Sequence, residues 1–302
     1  MRIFSRSSGY ASALLLAGTA ALAAPAAAQA SAALPAPPVV PCSSSALVAA
    51  IRQANSARFA TLVLSRNCNY VLTTAAAPND GLPVVTRNIV ILGSGGTTIS
   101  RSPSAGNFRI FDAEGGGRLV LANLTVANGN SGNEVGGGII DDDSTVVLRN
   151  VRLTGNTAPS GGGLAILNGG RATISFSELD GNNATGFVGG AIDISSGDLV
   201  IDHSRVTGNT AKLDGGGVAT SDPGTTRITS TVVARNVAGR VGGGIANGAT
   251  MVLRGDRVVF NRAGSDGGGI FNGGTIQLRF TLVAFNSPDN CSPPGTIQGC
   301  RN

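Results

Sequence analysis

Few side chains in this 302-residue chain could carry out a reaction: 17 carboxylates, one histidine (His203) and four cysteines. Glycoside hydrolysis needs two carboxyls flanking one bond, so acidic runs are the first place to look. Asp141-Asp142-Asp143 is the densest run. It follows Ile139 at a turn, and the matching residues of the next two repeats are Ile166-Leu167-Asn168 and Ile194-Ser195-Ser196. No second carboxylate is expected above it, so it reads as a solvated acidic turn rather than a Ca²⁺ site. Asp193, Asp198 and Asp202 share one repeat with His203, but Asp202 aligns with Ser175 and Thr229. His203 falls where other repeats carry Asn150, Phe176 and Ser230. A single imidazole at such a turn is read as a turn residue, not an acid–base catalyst. Asp214 and Asp266 precede glycine triplets without the nine-residue spacing of a calcium roll. The triplets are not phosphate loops either, since neither a helix nor a lysine follows them. Cysteine spacing and the single histidine argue against zinc. The sequence therefore assigns no catalytic, cofactor-binding or metal-binding residue, and no cofactor is expected.

Arginine is the other candidate for chemistry, because Lys212 is the only lysine. Guanidinium groups make planar, bidentate contacts with carboxylates. At the outward position after each repeat's second core residue stand Arg149, Ser175, Asp202, Thr229, Arg254 and Arg279. Three residues further on stand Arg152, Glu178, Arg205, Val232, Arg257 and Leu282. Arg149, Arg152, Arg205, Arg254, Arg257 and Arg279 thus form a candidate polyanion-binding face. The competing expectation is a charged strand face that only keeps the protein soluble.

The repeat that would position these residues is plain from Gly136 onward. Small-residue clusters start at 136, 161, 189, 215, 242 and 267, at intervals of 25 to 28 residues. Each leads to one aliphatic residue: Ile139, Leu164, Ile192, Val218, Ile245, Ile270. An alternating strand follows, with inward pairs such as Val146/Leu148 and Leu199/Ile201. A third short strand carries Leu153, Leu179, Val206, Val233, Val258 and Val283. Three residues after each comes an asparagine: Asn156, Asn182, Asn209, Asn236, Asn261, Asn286. A coil this small cannot bury its apolar face alone, so like residues must stack above like. The expected fold is all-β: a right-handed, three-stranded parallel β-helix of about nine coils over 61–286. The asparagines are expected to form a structural amide ladder.

The flanks complete the reading. Residues 1–30 have Arg2 and Arg6, an apolar run and Ala28-Gln29-Ala30, and read as a cleaved signal peptide. Residues 31–41 read as a proline-rich lead-in. Leu47, Ala50, Ile51 and Ala54 fall at helical spacing, so 42–60 is read as a short N-terminal capping helix over an otherwise open strand end. Four cysteines allow three pairings. They lie one pair near each end, which favours Cys42–Cys68 and Cys291–Cys300, the latter making 287–302 a C-terminal disulfide clasp. Without Arg2 and Arg6 the chain has 22 − 2 = 20 basic and 17 acidic residues.

The GG[GA]-[ILV] clusters with an aliphatic-x-x-N motif resemble the repeats of polymorphic outer membrane proteins. The opening Cys42, Leu47, Ile51, Ala54, Asn55 resembles the CSLREA-type start of secreted β-helix proteins, though Ser44, Ser45 and Ala46 depart from that motif. The resemblance spans about 42–302 and implies a pectin-lyase-like β-helix. That superfamily includes adhesins and enzymes, and a membrane barrel of the kind that ends the polymorphic outer membrane proteins is not expected here. The expectation is a secreted or cell-surface protein, non-enzymatic, adhesin-like or structural, whose partner is an extracellular polysaccharide or cell-surface component. Neither nucleic-acid binding nor membrane insertion is expected. The alternative is a polysaccharide lyase or glycoside hydrolase.

Overall fold

The computed structural model describes residues 37–221 and 223–302. The segment read as a signal peptide and most of that read as a lead-in lie outside the described residues. Residues Pro37–Asn302 form one unit, a parallel β-solenoid of about nine turns. Three parallel sheets run along it, of 17, eight and five strands. The aliphatic residues after the glycine triplets make one interior file on the eight-stranded sheet, in the order Ile139, Leu164, Ile192, Val218, Ile245, Ile270. Phe111 and Cys291 extend the file at its two ends. The long sheet takes two strands from most coils and one long strand from two of them, Arg118–Ala127 and Thr145–Thr154, and Leu153 to Val283 form a second unbroken file there.

From Leu164 to Ala263 each coil holds four short strands, one more than the sequence suggests. The coil from Leu164 runs through Leu164–Leu167, Gly170–Ser175, Glu178–Asp180 and Asn183–Ala184. The fourth strand directly follows the ladder asparagine and adds a buried alanine file: Ala158, Ala184, Ala211, Ala238, Ala263. Two residues are too few for alternation to show in a sequence. The first coils also hold strands at Thr98–Arg101 and Arg118–Ala127 that the sequence reading passed over. Phe111–Glu114 is the first strand of the eight-stranded sheet.

The glycine triplets have divided labour. The first glycine takes a left-handed turn, as Gly215 does at φ 63°. The second allows two coils to touch. A Cβ on Gly216 would lie 2.4 Å from the Gly243 carbonyl oxygen and 2.5 Å from that of Val237. Gly216→Ala is therefore expected to lower stability by about 2 kcal/mol through forced separation of two coils. A melting temperature equal to that of the parent protein would contradict this.

Ser44–Ala54 is an α-helix whose Leu47, Ile51 and Ala54 are buried in the core. Its first residue follows Ser43, whose extended backbone begins the helix and whose hydroxyl hydrogen-bonds that of Ser45. Cys42–Cys68 and Cys291–Cys300 are disulfides. Val39–Val40, inside the segment read as a lead-in, pairs with Val63–Leu64. Among the described residues no helix is long and apolar enough to cross a membrane.

Candidate functional site

The long sheet turns its outer face to solvent, and the register fixes which residues share it. Arg149, Ser175, Asp202, Thr229, Arg254 and Arg279 follow one another in a single file. Arg152, Glu178, Arg205, Val232, Arg257 and Leu282 make a second. The two files lie on either side of a bend where residues take the left-handed conformation: Asn123, Asn150, Phe176, His203, Ser230, Gly255, Phe280. Asparagine tolerates that conformation because its short polar side chain bonds locally. Phenylalanine has no such compensation.

The six arginines are not equivalent. Arg152 makes a bidentate pair with Asp180, at 2.7 Å to each oxygen, so its charge is spent within the protein. Among the described residues no carboxylate lies within ion-pair distance of Arg149, Arg205, Arg254, Arg257 or Arg279. Arg254 and Arg279 stand directly opposite each other on adjacent strands. Like charges so placed repel. Arg227 adds a further exposed guanidinium one outward position away on the neighbouring coil. The C-terminal half of this face is therefore a concentrated cationic surface. Further toward the N-terminus a groove of about 520 Å³ runs along the bend, lined by Asn150, Arg152, Phe176, His203 and Arg205 among others. His203 Nδ1 lies 2.9 Å from Asp202 Oδ2 and its ring stacks on Phe176 at 5.3 Å.

Behind this face the asparagines form a continuous ladder. Asn182 donates both its backbone N–H and its side-chain amide to Asn209 Oδ1, at 2.9 and 3.0 Å. Asn209 in turn donates to Leu179 O and to Asn236 Oδ1, each at 2.9 Å. The pattern recurs from Asn156 to Asn286. Two further ladders escaped sequence reading. Hydroxyls of Ser177, Ser204 and Thr231 accept from the backbone of the preceding coil at the bend, and Asp256 continues that file. Thr220, Asn247 and Asn272 form a third inside the eight-stranded sheet. The recurrence of Ser, Ser, Thr, Asp at one offset is the signal that could have revealed the bend ladder.

The acidic residues behave differently from the sequence expectation. Asp141 is not part of a solvated turn: it points inward, fully buried, in file with Ala113 and Ile166. Its carboxyl accepts from the Ser144 hydroxyl, yet burial pushes its pKa up to about 6. Asp142 does have a carboxylate in register, Glu114 on the preceding coil. Asp193 is also buried, and that burial raises it to about 7. The principal acidic cluster lies where no motif pointed. Arg109 is 5% exposed, with Asp80 Oδ1 at 3.2 Å and Asp112 Oδ2 at 3.8 Å. The Asp80 contact is close but misaligned, leaving its Oδ1 and the Arg109 Nε without a hydrogen bond. Burial raises Asp80 to about 6, against the opposing pull of Arg109. Burial, then the charge of Asp80, raises Asp112 to about 7. Such values suit proton transfer near neutrality. The principal clefts of the described residues, however, are lined by other side chains. Among the described residues no group of three or more histidine, cysteine or acidic side chains could hold a metal ion.

Comparison of the chain with protein-family models, with curated proteins and with solved structures gives no match.

Proposed function

We propose that this is a secreted, right-handed β-helix that binds an acidic polysaccharide along the outer face of its long sheet, in an adhesive or structural role and without catalysis. The observation that carries the reading is the facing pair Arg254 and Arg279 beside Arg257, none of them neutralised by a described carboxylate. Opposed like charges weaken a sheet, and an anionic polymer laid along the rod would relieve that repulsion. A right-handed path is supported by the strong preference of parallel crossovers. The helix Ser44–Ala54 suits a lid over the first coil, since its apolar residues belong to the core and Cys42–Cys68 fastens it. Disulfides suit an oxidising compartment.

The test is retention on immobilised polygalacturonate under a salt gradient. The parent protein is expected to be retained at low salt and released as salt rises, because exposed charge pairing is screened. Replacing Arg254, Arg257 and Arg279 together by alanine is expected to weaken binding at least tenfold, about 1.4 kcal/mol. Retention unchanged in the triple variant would overturn the assignment of this face.

A second reading, cleavage of the polysaccharide by a lyase or hydrolase of the pectin-lyase-like kind, has one observation in its favour: Asp80 and Asp112 around buried Arg109, both with raised pKa. Incubation with uronate polysaccharides, with and without Ca²⁺, decides between the two. Release of unsaturated or reducing ends, lost in Asp112→Asn, would replace binding by catalysis.

A further inference from the structure

Four phenylalanines occupy the left-handed backbone region: Phe176 (φ 50°), Phe260 (φ 59°), Phe280 (φ 52°) and Phe285 (φ 59°). All lie at the two bends bounding the short strand that carries Arg205 and Arg257. All are exposed, Phe280 to 93%. Apart from His203 and Arg235, which lie against Phe176 and Phe260, the other coils carry at these offsets Asn123, Asn150, Ser230 and Gly255 at the first bend, and Asn128, Gly155, Gly181 and Gly208 at the second. Those types fit a positive φ or place no bulk there, whereas a bulky ring strains it. An exposed ring also gains little from burial. Stacking offsets part of that cost for two pairs. Phe260 and Phe285 stack at 5.3 Å with Arg235 over Phe260 at 5.9 Å, and Phe176 stacks on His203. Phe280 has no aromatic partner among the described residues. Rings held in strained, wet positions that smaller residues would fill more comfortably are the mark of a contact surface.

We infer that these phenylalanines form two aromatic rails that take the sugar rings of a polyuronate while the neighbouring arginines take its carboxylates. This rests on the binding function proposed above and names the recognition elements of that face. The spacing suits such a ligand. Arg279 adjoins Phe280, Arg257 lies three residues before Phe260, and Arg205 shares the groove with Phe176. Each unit of a polyuronate offers an apolar C–H face for a ring and a carboxylate for a guanidinium. A neutral glycan offers only the first, and a simple polyanion only the second.

Phe280→Asn tests the inference most cleanly, since so exposed a ring adds nothing to the core. Phe176→Asn and the pair Phe260→Asn with Phe285→Asn extend the test. Melting temperatures are expected to hold or rise, because asparagine suits this backbone. Affinity for polygalacturonate by calorimetry is expected to fall about tenfold in the combined variant, about 1.4 kcal/mol. Polyphosphate, an anionic polymer without sugar rings, is expected to bind equally to parent and variant. Unchanged polygalacturonate affinity in all these variants would overturn the rails. If the triple arginine variant still lost binding in that case, the arginine face would stand without them. A parent protein that ignores polygalacturonate would defeat both proposals. Equal or tighter binding of single-stranded DNA, with the same phenylalanine dependence, would overturn the sugar assignment.

Discussion

Replacing Asn209 by alanine is expected to cost about 3–5 kcal/mol of folding stability, in the range reserved for broken buried hydrogen-bond networks. Asn209 is fully buried. Its oxygen accepts two bonds from Asn182, and its amide donates to Leu179 O, Thr207 O and Asn236 Oδ1. Truncation strands donors on one side and acceptors on the other. Each stranded group carries a desolvation penalty of about 1–3 kcal/mol, while alanine gives no partner in exchange. Asn209→Asp probes direction. It keeps the shape, but an anionic oxygen would face Leu179 O or Asn236 Oδ1 where a donor is required, so it is expected to be at least as damaging. Urea unfolding of the parent and both variants measures the effect. A loss below about 1 kcal/mol, no more than one ordinary hydrogen bond, would show that the ladder follows the stacking rather than holding it.

The second large effect concerns pH. Asp80, Asp141 and Asp256 are raised to about 6, and Asp112 and Asp193 to about 7, in each case chiefly by burial. The ordinary carboxyl value is 3.8. Between roughly pH 4 and 7 the folded protein holds protons that the unfolded chain has released. Stability therefore falls as pH rises through that window, since it increases with pH only where the unfolded state binds more protons. Below the unfolded value both states are protonated and nothing further is gained. Above about 7 the loss is complete. The melting temperature is expected to be several degrees higher at pH 4.5 than at pH 7.5. Asp193→Asn should remove one contribution, gaining on the order of 2–4 kcal/mol at pH 7.5 and almost nothing at pH 4. A melting temperature that is flat or rising across this range would show that these carboxyls are better solvated than their burial implies.

The two effects have a common source. A solenoid has no deep centre, so its interior is a thin column where every inward position counts. Asp256 illustrates this: it fills a place held by Ser177, Ser204 and Thr231 on earlier coils and accepts from Thr231 as they would. One of its oxygens is left without a partner.

Stacking made much of the fold legible in advance. Each coil touches mainly the next, so most long-range pairings recur about one coil apart in sequence, and the residues that stack must agree in type. The files from Ile139 to Ile270 and from Leu153 to Val283 and the asparagine ladder follow from that rule, whereas the two disulfides were legible from one cysteine pair lying near each end. The alignment of Arg254 with Arg279 follows from the stacking rule too. Bends and loops escape it. There the inward–outward alternation lapses, and the side chain's surroundings depend on how far the chain has turned. The offset that aligns Asp141 with Ile166 and Ile194 pointed inward and only its residue type suggested solvent, but no offset could tell that Phe176 and Phe280 stand in solvent at positive φ. Nor could any offset tell that Asp180 neutralises Arg152, or that Arg109 is buried between Asp80 and Asp112. The period of the chain settled which residues lie above one another. Only the folded path, through the dielectric and the partners it assigns to each polar group, decided which of them are charged, strained or free to meet a ligand.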